Sequence, residues 1–291
     1  MKIQKKKIVK NVVRNSEHDI TVLKLDHPGA TDKIYRARRD FIAEHAGSIN
    51  YLPEENKTWQ IATRNLAELH RKLASTKYLM GKNLIELPTD HIPQLEALSR
   101  RLHTIGGFRV VPVEGLIDAK TFLSRLGRGV MSSTQYIRHA SHPEYTPEPD
   151  IIHEVVGHIP MFADADFVAF SRLLGQAAGH ATPEQMPALE RLYWFTIEFG
   201  LIEEQGQTKI YGAGLLSSFG EMPHALSSHV DRLPFSIEKV IASDYTFSEM
   251  QNKLFVIKLF AALKKEVELW LAKLQKREEV KLKVGSKSVQ V

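Results

Sequence analysis

Two histidines in the middle of the chain have a residue type and a spacing that could bind a metal ion. His153 and His158 lie five residues apart, with Glu154 beside the first and a proline-rich segment upstream. The zinc metallopeptidase motif has its second histidine at i+4, so that both rings leave one helix face. Here i+4 is Gly157, and on an ideal helix residue i+5 lies about 140° round from residue i. The two rings can therefore converge only if the helix is distorted or ends near Gly157.

A third ligand is needed, and Glu198 is the best candidate. It is the only acid in residues 192–202, which are apolar on every side and therefore predict a buried helix. A buried carboxylate must be paired, neutralised or bound to a metal, because leaving it bare is costly. We predict that Glu198 completes a metal site with the two histidines; the alternative is a buried salt bridge to Arg138 or Arg191. Two histidines and one carboxylate with open positions form the site of non-heme Fe(II) oxygenases.

Such an iron site needs an electron source. The chain has no cysteine, which excludes an iron–sulfur cluster, disulfides and cysteine nucleophiles. Residues 211–218 are glycine-rich, but they lack the lysine of a P-loop and the spacing of a dinucleotide-binding fingerprint. We therefore expect a dissociable reductant, with Glu154 left to form hydrogen bonds near the metal.

The composition is that of an ordinary globular protein, with 291 residues of which 43% are hydrophobic and 25% charged. No apolar run approaches the length of a membrane span, and the N-terminus lacks the apolar core of a secretory signal, so we expect a cytoplasmic protein with no membrane contact. The net charge of +5 comes from the ends: residues 1–10 have five lysines and no acid, and residues 272–291 have six basic and two acidic residues. The other 261 residues sum to about −4, which argues against nucleic-acid binding.

The spacing of apolar residues predicts a mainly α protein with a few short β-strands. Helices are predicted over 32–46, 56–75, 90–106, 118–126, 164–178, 182–201 and 247–275, and strands over 19–23, 108–113 and 130–136. We expect a basic tail over 1–25, one helix-rich catalytic domain over 26–275, and a β-hairpin or tail over 276–291.

Several longer motifs occur around these residues: TQYIRH at 134–139, YTPEPD at 145–150, HEVVGH at 153–158, YWFTIEFG at 193–200 and GAGLLSSFGE at 212–221. In this order they resemble the catalytic domain of the pterin-dependent aromatic amino acid hydroxylases, over roughly residues 25–270. Several long motifs in the same order are far more specific than a single His-Glu pair.

The resemblance implies a set of cofactors and the residues that hold them. It implies Fe(II) at the three ligands proposed above, tetrahydrobiopterin or a related tetrahydropterin as reductant, and O2 as co-substrate. It implies that the ring of Phe122 stacks on the pterin, and that Ile117, Ala119 and Glu154 complete the pterin pocket. Without the shared motifs, Phe122 would be read as a core aromatic.

The resemblance also implies how the amino acid substrate is held. Arg138 matches the residue that binds the substrate carboxylate, with Asp150 orienting it, and a guanidinium fork suits a carboxylate. Thr146, Trp194 and Ser217 fall at substrate-pocket positions. Taken singly, Arg138 would be a structural ion pair and Ser217 a helix cap.

The implied reaction is hydroxylation of the ring of an aromatic amino acid, with L-phenylalanine to L-tyrosine first, as in phenylalanine catabolism. Phe247 sits near a position that helps to separate phenylalanine from tyrosine enzymes, and it is not the aspartate expected for a tyrosine enzyme. Trp194 speaks against a typical tryptophan enzyme. Hydroxylation of tryptophan, alone or beside phenylalanine, is the alternative. A zinc hydrolase with Glu154 as base and a non-catalytic helical binding module are alternatives from other classes. The regulatory domain and tetramerisation helix of the animal enzymes have no counterpart, so we expect a monomer or dimer rather than a tetramer.

Overall fold

The computed structural model describes residues 27–115, 117–144, 146, 148–247 and 249–287, with side chains described as far as residue 274. The predicted tail and strand within residues 1–25 lie outside the described residues. The α-helices are α1 Pro28–Thr31, α2 Lys33–Glu44, α3 Pro53–Leu73, α4 Thr76–Ile85, α5 Leu95–Gly106, α6 Ala119–Gly127, α7 Ala165–His180, α8 Met186–Tyr193, α9 Ala213–Leu216, α10 Glu221–Ala225, α11 Ile237–Ile241 and α12 Phe260–Lys287.

Two π-helices and one 3₁₀ helix interrupt this series. The first π-helix is Ile152–His158 and continues into the 3₁₀ helix Ile159–Ala163, and the second π-helix, Trp194–Glu198, follows α8 directly. The strands are β1 Arg109–Pro112, β2 Val130–Ser133, β3 Leu201–Glu204, β4 Gln207–Ile210, β5 Asp231–Pro234 and β6 Lys253–Ile257. The expected mainly α fold with a few short strands is confirmed.

The strands of the described residues form two small sheets. Strands β1 and β2 pair in parallel, with Arg109 opposite Val130. The other sheet has the order β4-β3-β6-β5, in which β3 and β4 are antiparallel and β6 pairs in parallel with both β3 and β5. Because β3 begins three residues after Glu198, this sheet sets where the second π-helix ends.

Helix α3 shows how local sequence and packing agree. It begins with Pro53 at its first position, where a missing N–H costs nothing. The Glu55 carboxylate accepts a hydrogen bond from the backbone N–H of Leu52 at 2.7 Å, which satisfies one of the free donors at this helix end. Trp59 and Leu66 then face the core, and both are buried.

Very close backbone contacts join α9 to both π-helices, and they require glycine. A Cβ atom on Gly157 would lie 2.7 Å from the carbonyl oxygen of Ala213. One on Gly212 would lie 2.4 Å from the backbone nitrogen of Gly200. Real Cβ atoms do not approach backbone this closely, so glycine at 157 and 212 lets the three segments pack together.

The C-terminal prediction was wrong in two places. Residues 253–257, placed in the last helix, form β6, and the helix begins only at Phe260. Their apolar pattern fits a helix or a buried strand, and pairing with the remote β3 and β5 decides for the strand. The hairpin predicted within residues 276–291 is also wrong for the residues up to Lys287, because α12 continues to that residue. Residues 288–291 lie outside the described residues.

Two other boundaries differ from prediction. The helix expected from Asp90 begins at Leu95. The Gln94 side chain forms two hydrogen bonds with the backbone of Ile49, which hold the residue before the helix in an extended conformation. The helix expected from Thr182 begins at Met186, after a turn in which the Gln185 side chain accepts from the Thr182 N–H. Helix α4 and the four-stranded sheet were not predicted.

Candidate metal centre

The first π-helix solves the spacing problem of the two histidines. Its i→i+5 hydrogen bonds make each turn wider than an α-helical turn, so residues five apart come to the same face. The Nε2 atoms of His153 and His158 lie 3.1 Å apart. Their ring centroids are 4.8 Å apart and the ring planes are nearly perpendicular, at 86°. The predicted helix distortion is confirmed, and both nitrogens point at one place.

Glu198, the last residue of the second π-helix, completes the group. Its Oε1 lies 3.0 Å from Nε2 of His158, and its Oε2 lies 3.6 Å from Nε2 of His153. One potential ligand atom from each residue lies within 4.8 Å of the others. The alternative partners for Glu198 were wrong, since Arg138 and Arg191 pair with aspartates instead. The candidate site is therefore formed by two histidines and one buried acid, as expected from the sequence.

Ser217 determines which nitrogen of His153 carries the proton. The Ser217 hydroxyl donates to the carbonyl of Ala213 at 2.8 Å, which leaves its oxygen to accept from Nδ1 of His153 at 3.0 Å. Neutral His153 then has its proton on Nδ1 and a free lone pair on Nε2. A hydrogen bond of this kind fixes the tautomer and orientation of histidines that bind metals. The donor set and this tautomer both fit a divalent first-row metal ion.

Tyr193 is a functional residue that the sequence reasoning missed. Its hydroxyl donates to Oε1 of Glu198, which fixes the carboxylate. Tyr193 lies five residues before Glu198, the same spacing that separates the two histidines, and this repeat was the available signal. By contrast, Nδ1 of His158 is buried and has no hydrogen-bond partner among the described residues.

The electrostatics of the centre favour a cation. Burial opposes protonation of His153, but the neighbouring Glu198 carboxylate outweighs burial and raises the pKa of His153 to about 9. Burial lowers the pKa of His158. Glu198 keeps its charge, because the two imidazoles outweigh its burial and hold its pKa well below the usual range. Burial raises the pKa of the adjacent Glu154 to about 8. A buried carboxylate facing two imidazole nitrogens binds either a proton or a metal ion.

Arg138 and Asp150 form a buried ion pair beside the centre. Nε and one terminal nitrogen of Arg138 bond the two oxygens of Asp150 at 2.9 and 2.8 Å, and the backbone N–H of Arg138 donates to the same carboxylate at 2.8 Å. Asp150 is fully buried, and it also accepts from the backbone N–H of His153 at 3.1 Å. Asp150 therefore fixes the guanidinium and ties it to the first ligand.

Trp194 begins the second π-helix and lies in a group of aromatic rings. Its ring stacks on Tyr245 at 4.5 Å and meets Phe247 edge-on at 4.8 Å. Its indole N–H donates to the side chain of Gln251 at 3.2 Å. Thr146 is half-buried, and its hydroxyl oxygen lies 3.4 Å from the backbone nitrogen of Glu148.

The residues matched to the pterin pocket lie on or near α6. Phe122 meets Tyr193 edge-on with ring centroids 5.4 Å apart, so it reaches the centre through the tyrosine that holds Glu198. Ile117 is half-buried just before α6, and Ala119 is exposed at its first residue. The structure thus brings Phe122 to the centre and places the other two at the N-terminal end of the same helix.

Comparison with known proteins agrees with this geometry. The sequence model described as biopterin-dependent aromatic amino acid hydroxylase matches residues 2–291. The chain belongs to this family. It is 40% identical over 282 residues to mouse phenylalanine-4-hydroxylase, with 92% of this chain and 62% of the relative aligned. It is also 40% identical over 272 residues to human tyrosine 3-monooxygenase, with 89% and 52% aligned.

Solved structures of the biopterin-dependent hydroxylases share the fold. Chromobacterium violaceum phenylalanine hydroxylase, described with bound iron(III) and 7,8-dihydrobiopterin, superposes with a TM-score of 0.73 at 29% identity, covering 78% of this chain and 84% of that one. The 291-residue chain covers 62% of the length of mouse phenylalanine-4-hydroxylase. Within the described residues, no helix is long and apolar enough to cross a membrane.

Proposed function

We propose that this chain is a non-heme iron monooxygenase that uses a tetrahydropterin and O2 to hydroxylate L-phenylalanine to L-tyrosine. One observation carries the proposal: Nε2 of His153, Nε2 of His158 and the Glu198 carboxylate converge within 4.8 Å on two π-helices. Two histidines and one carboxylate leave positions open on iron for other ligands. Membership of the hydroxylase family supports the same reaction class.

The chain's own part in this chemistry is to hold the ligands ready. Ser217 keeps the proton of His153 on Nδ1, so that Nε2 needs no rearrangement to bind a metal. Tyr193 holds Glu198 through a hydrogen bond to one carboxylate oxygen. Bound Fe(II) and a tetrahydropterin would supply the electrons that activate O2. Phe122, next to Tyr193, is the residue that we propose to stack on the pterin, with Ile117, Ala119 and Glu154 around it.

The ion pair beside the centre suits the carboxylate of an amino acid. Asp150 fixes one side of the Arg138 guanidinium. The Nη1 atom of Arg138 lies 3.4 Å from the backbone carbonyl oxygens of Pro143 and Ser217, which is longer than an ordinary hydrogen bond. We propose that this nitrogen binds the substrate carboxylate. The aromatic group around Trp194, with Thr146 and Ser217, would hold the ring.

The substrate is tested by an aerobic assay of the whole chain with Fe(II), a tetrahydropterin and each of phenylalanine, tryptophan and tyrosine, followed by product analysis. We expect tyrosine from phenylalanine as the main product, with no product under nitrogen or without pterin. Larger turnover of tryptophan would replace the substrate assignment but keep the reaction class. Zinc in place of iron should give no product.

Metal content tests the site itself. After reconstitution with Fe(II) and desalting, the wild-type chain should keep about one iron per chain, and Glu198→Ala and His158→Ala should keep none while retaining their helical signal. Less than about a tenth of an equivalent in the wild type would refute the proposal.

The proposal includes a monomer or dimer that acts in the cytoplasm, with residues 26–275 as the catalytic domain. The lack of cysteine fits a reducing compartment. Light scattering of the purified chain measures the oligomeric state, and a tetramer would contradict this part.

A further inference from the structure

A cluster of three polar side chains contacts the backbone of the segments that carry His153 and Ser217. His70, on α3, is 1% exposed, and Tyr78, on α4, is fully buried. Lys82, one turn further along α4, is half-buried. Polar groups in a protein interior are held by partners, and the partners show what the group does. Here the partners are backbone carbonyls of the two segments that carry and orient His153.

Tyr78 holds the first π-helix. Its hydroxyl donates to the carbonyl oxygen of Val156 at 2.8 Å. Val156 lies between His153 and His158 in the first π-helix. The hydrogen bond therefore fixes the backbone between the two ligands.

His70 holds the segment that carries Ser217. Its Nε2 lies 2.7 Å from the carbonyl oxygen of Leu216, and a carbonyl can only accept, so Nε2 carries the proton. Its Nδ1 lies 3.2 Å from Nζ of Lys82, which donates to it. Neutral His70 therefore has one favoured tautomer, selected from both sides. Leu216 is the last residue of α9 and directly precedes Ser217.

These two anchors act on the two sides of a single hydrogen bond. Ser217 and Nδ1 of His153 must stay about 3.0 Å apart for the histidine to present Nε2 to a metal. Tyr78 anchors the helix on the His153 side, and His70 anchors the segment on the Ser217 side. Both anchors come from α3 and α4, neither of which supplies any of the three metal ligands.

We propose that His70 and Tyr78 are positioning residues for the metal ligand His153, and that Lys82 selects the tautomer of His70 that this role requires. The inference rests on the proposed iron site and goes beyond it, because none of the three residues touches a ligand side chain. The cluster positions His153 through hydrogen bonds to two backbone carbonyls, those of Val156 and Leu216.

The test uses the whole chain and two measurements that do not depend on turnover. One is the rate at which bound Fe(II) is released to an excess of a coloured chelator, and the other is the visible absorption spectrum of the Co(II)-substituted protein. Tyr78→Phe and His70→Leu each remove one hydrogen bond to a backbone carbonyl. We expect each to speed iron release roughly three- to tenfold, the range that one buried hydrogen bond is worth, and to change the Co(II) bands.

Two further variants separate positioning from general stability. Tyr51→Phe also removes a tyrosine hydroxyl that donates to a backbone carbonyl, that of Gln135 at 3.0 Å, and Gln135 is a residue outside both π-helices and α9. It should leave iron release within about twofold of wild type. His70→Gln keeps an N–H donor near the position of Nε2, and it should restore the wild-type rate that His70→Leu loses. Melting temperatures of the metal-free proteins report any general loss of stability.

The proposal is overturned if Tyr78→Phe and His70→Leu release iron no faster than Tyr51→Phe, or if His70→Gln is as fast as His70→Leu. If His70→Leu does not fold, Tyr78→Phe against Tyr51→Phe decides the question alone. A wild-type chain that binds iron and hydroxylates phenylalanine, with unchanged release in the variants, refutes only the positioning role. A wild-type chain that takes up neither metal refutes the proposed function and this inference together.

Discussion

Replacing Ser217 by alanine tests how the chain prepares His153 for a metal. The substitution removes the oxygen that accepts from Nδ1 of His153 at 3.0 Å. In the metal-free protein the imidazole can then give up the Nδ1 proton and keep only the one on Nε2, which faces the neighbouring Glu198. In the metal-bound protein Nε2 is occupied, so Nδ1 must keep its proton without a partner. The loss therefore acts mainly on the bound form.

The magnitude follows from that buried donor. Leaving a buried N–H unpaired costs about 1–3 kcal/mol. Loss of an outer-shell partner of a metal-bound histidine typically weakens metal binding by about 10- to 100-fold, which is the same range. We therefore expect Ser217→Ala to bind Fe(II) about 10- to 100-fold more weakly, while its metal-free form melts within a few degrees of wild type.

Chelator competition measures the Fe(II) dissociation constant directly. Ser217→Thr keeps a hydroxyl and should bind iron more tightly than Ser217→Ala. Ser132→Ala is the matched control, because Ser132 is equally buried and its hydroxyl oxygen accepts from Arg125 at 2.9 Å, outside the centre. An iron affinity of Ser217→Ala within twofold of that of Ser132→Ala would refute the reasoning about the tautomer.

Three other outcomes follow from single positions. Gly157→Ala should destabilise the fold by about 1–3 kcal/mol and weaken iron binding, since its Cβ would lie 2.7 Å from a carbonyl oxygen of α9. Gly179→Ala, whose Cβ would lie 3.8 Å from its nearest neighbour, should stabilise the fold by up to about 1 kcal/mol. Equal melting temperatures for these two variants would contradict both expectations. Burial raises the pKa of Glu221 to about 7, so the folded state holds a proton that the unfolded state has lost, and stability should fall by at most about 3 kcal/mol as the pH rises from about 4.5 through 7. Glu221→Gln should remove that slope from urea unfolding curves, and an unchanged slope would assign it to another group. Arg138→Ala should raise the KM for the amino acid and also cost about 3–5 kcal/mol of stability, because it leaves the buried charge of Asp150 unpaired; an unchanged KM would remove the carboxylate role.

The regular helices could be predicted because their signal is local. Helix α3 has an apolar stripe at helical spacing and acidic residues in its first turn, and both belong to the segment itself. Asp118, at which the predicted helix begins, caps α6 with a side chain that accepts from the N–H of Thr121. Such elements carry the information for their own boundaries.

Strand β6 and the end of α12 could not be predicted in the same way. Residues 253–257 are apolar and β-branched enough for either structure, and their partners in the sheet lie about 20 and 50 residues earlier in the chain. Pairing at that distance is a tertiary effect that overrides local spacing. At the C-terminus, residues 280–284 alternate between apolar and polar like a strand, yet they continue a helix that is already formed.

The candidate site was predicted in part because its ligands have an unusual chemistry. A five-residue histidine spacing and a single acid in an apolar helix both have few explanations. The supporting residues have many possible explanations, because a buried tyrosine or serine is ordinary in any protein core. Tyr193 acquires its role from the π-helical register that brings Glu198, five residues later, to its hydroxyl. Ser217 acquires its role only when the segment of His153, 64 residues earlier in the chain, meets it, and that meeting depends on the glycine contacts of α9.

The two π-helices make the site depend on chain length as well as on residue type. A π-helical turn has one residue more than the α-helical turn that it replaces, so each of these segments behaves as an α-helix with a single-residue insertion. Deleting Val155 or Val156 would remove that insertion and leave the histidines at i and i+4, the register of zinc peptidases. Chemically mild substitutions at these two positions preserve the register, whereas any one-residue deletion shifts it. The number of residues between the two histidines therefore helps to determine which metal chemistry the helix can support.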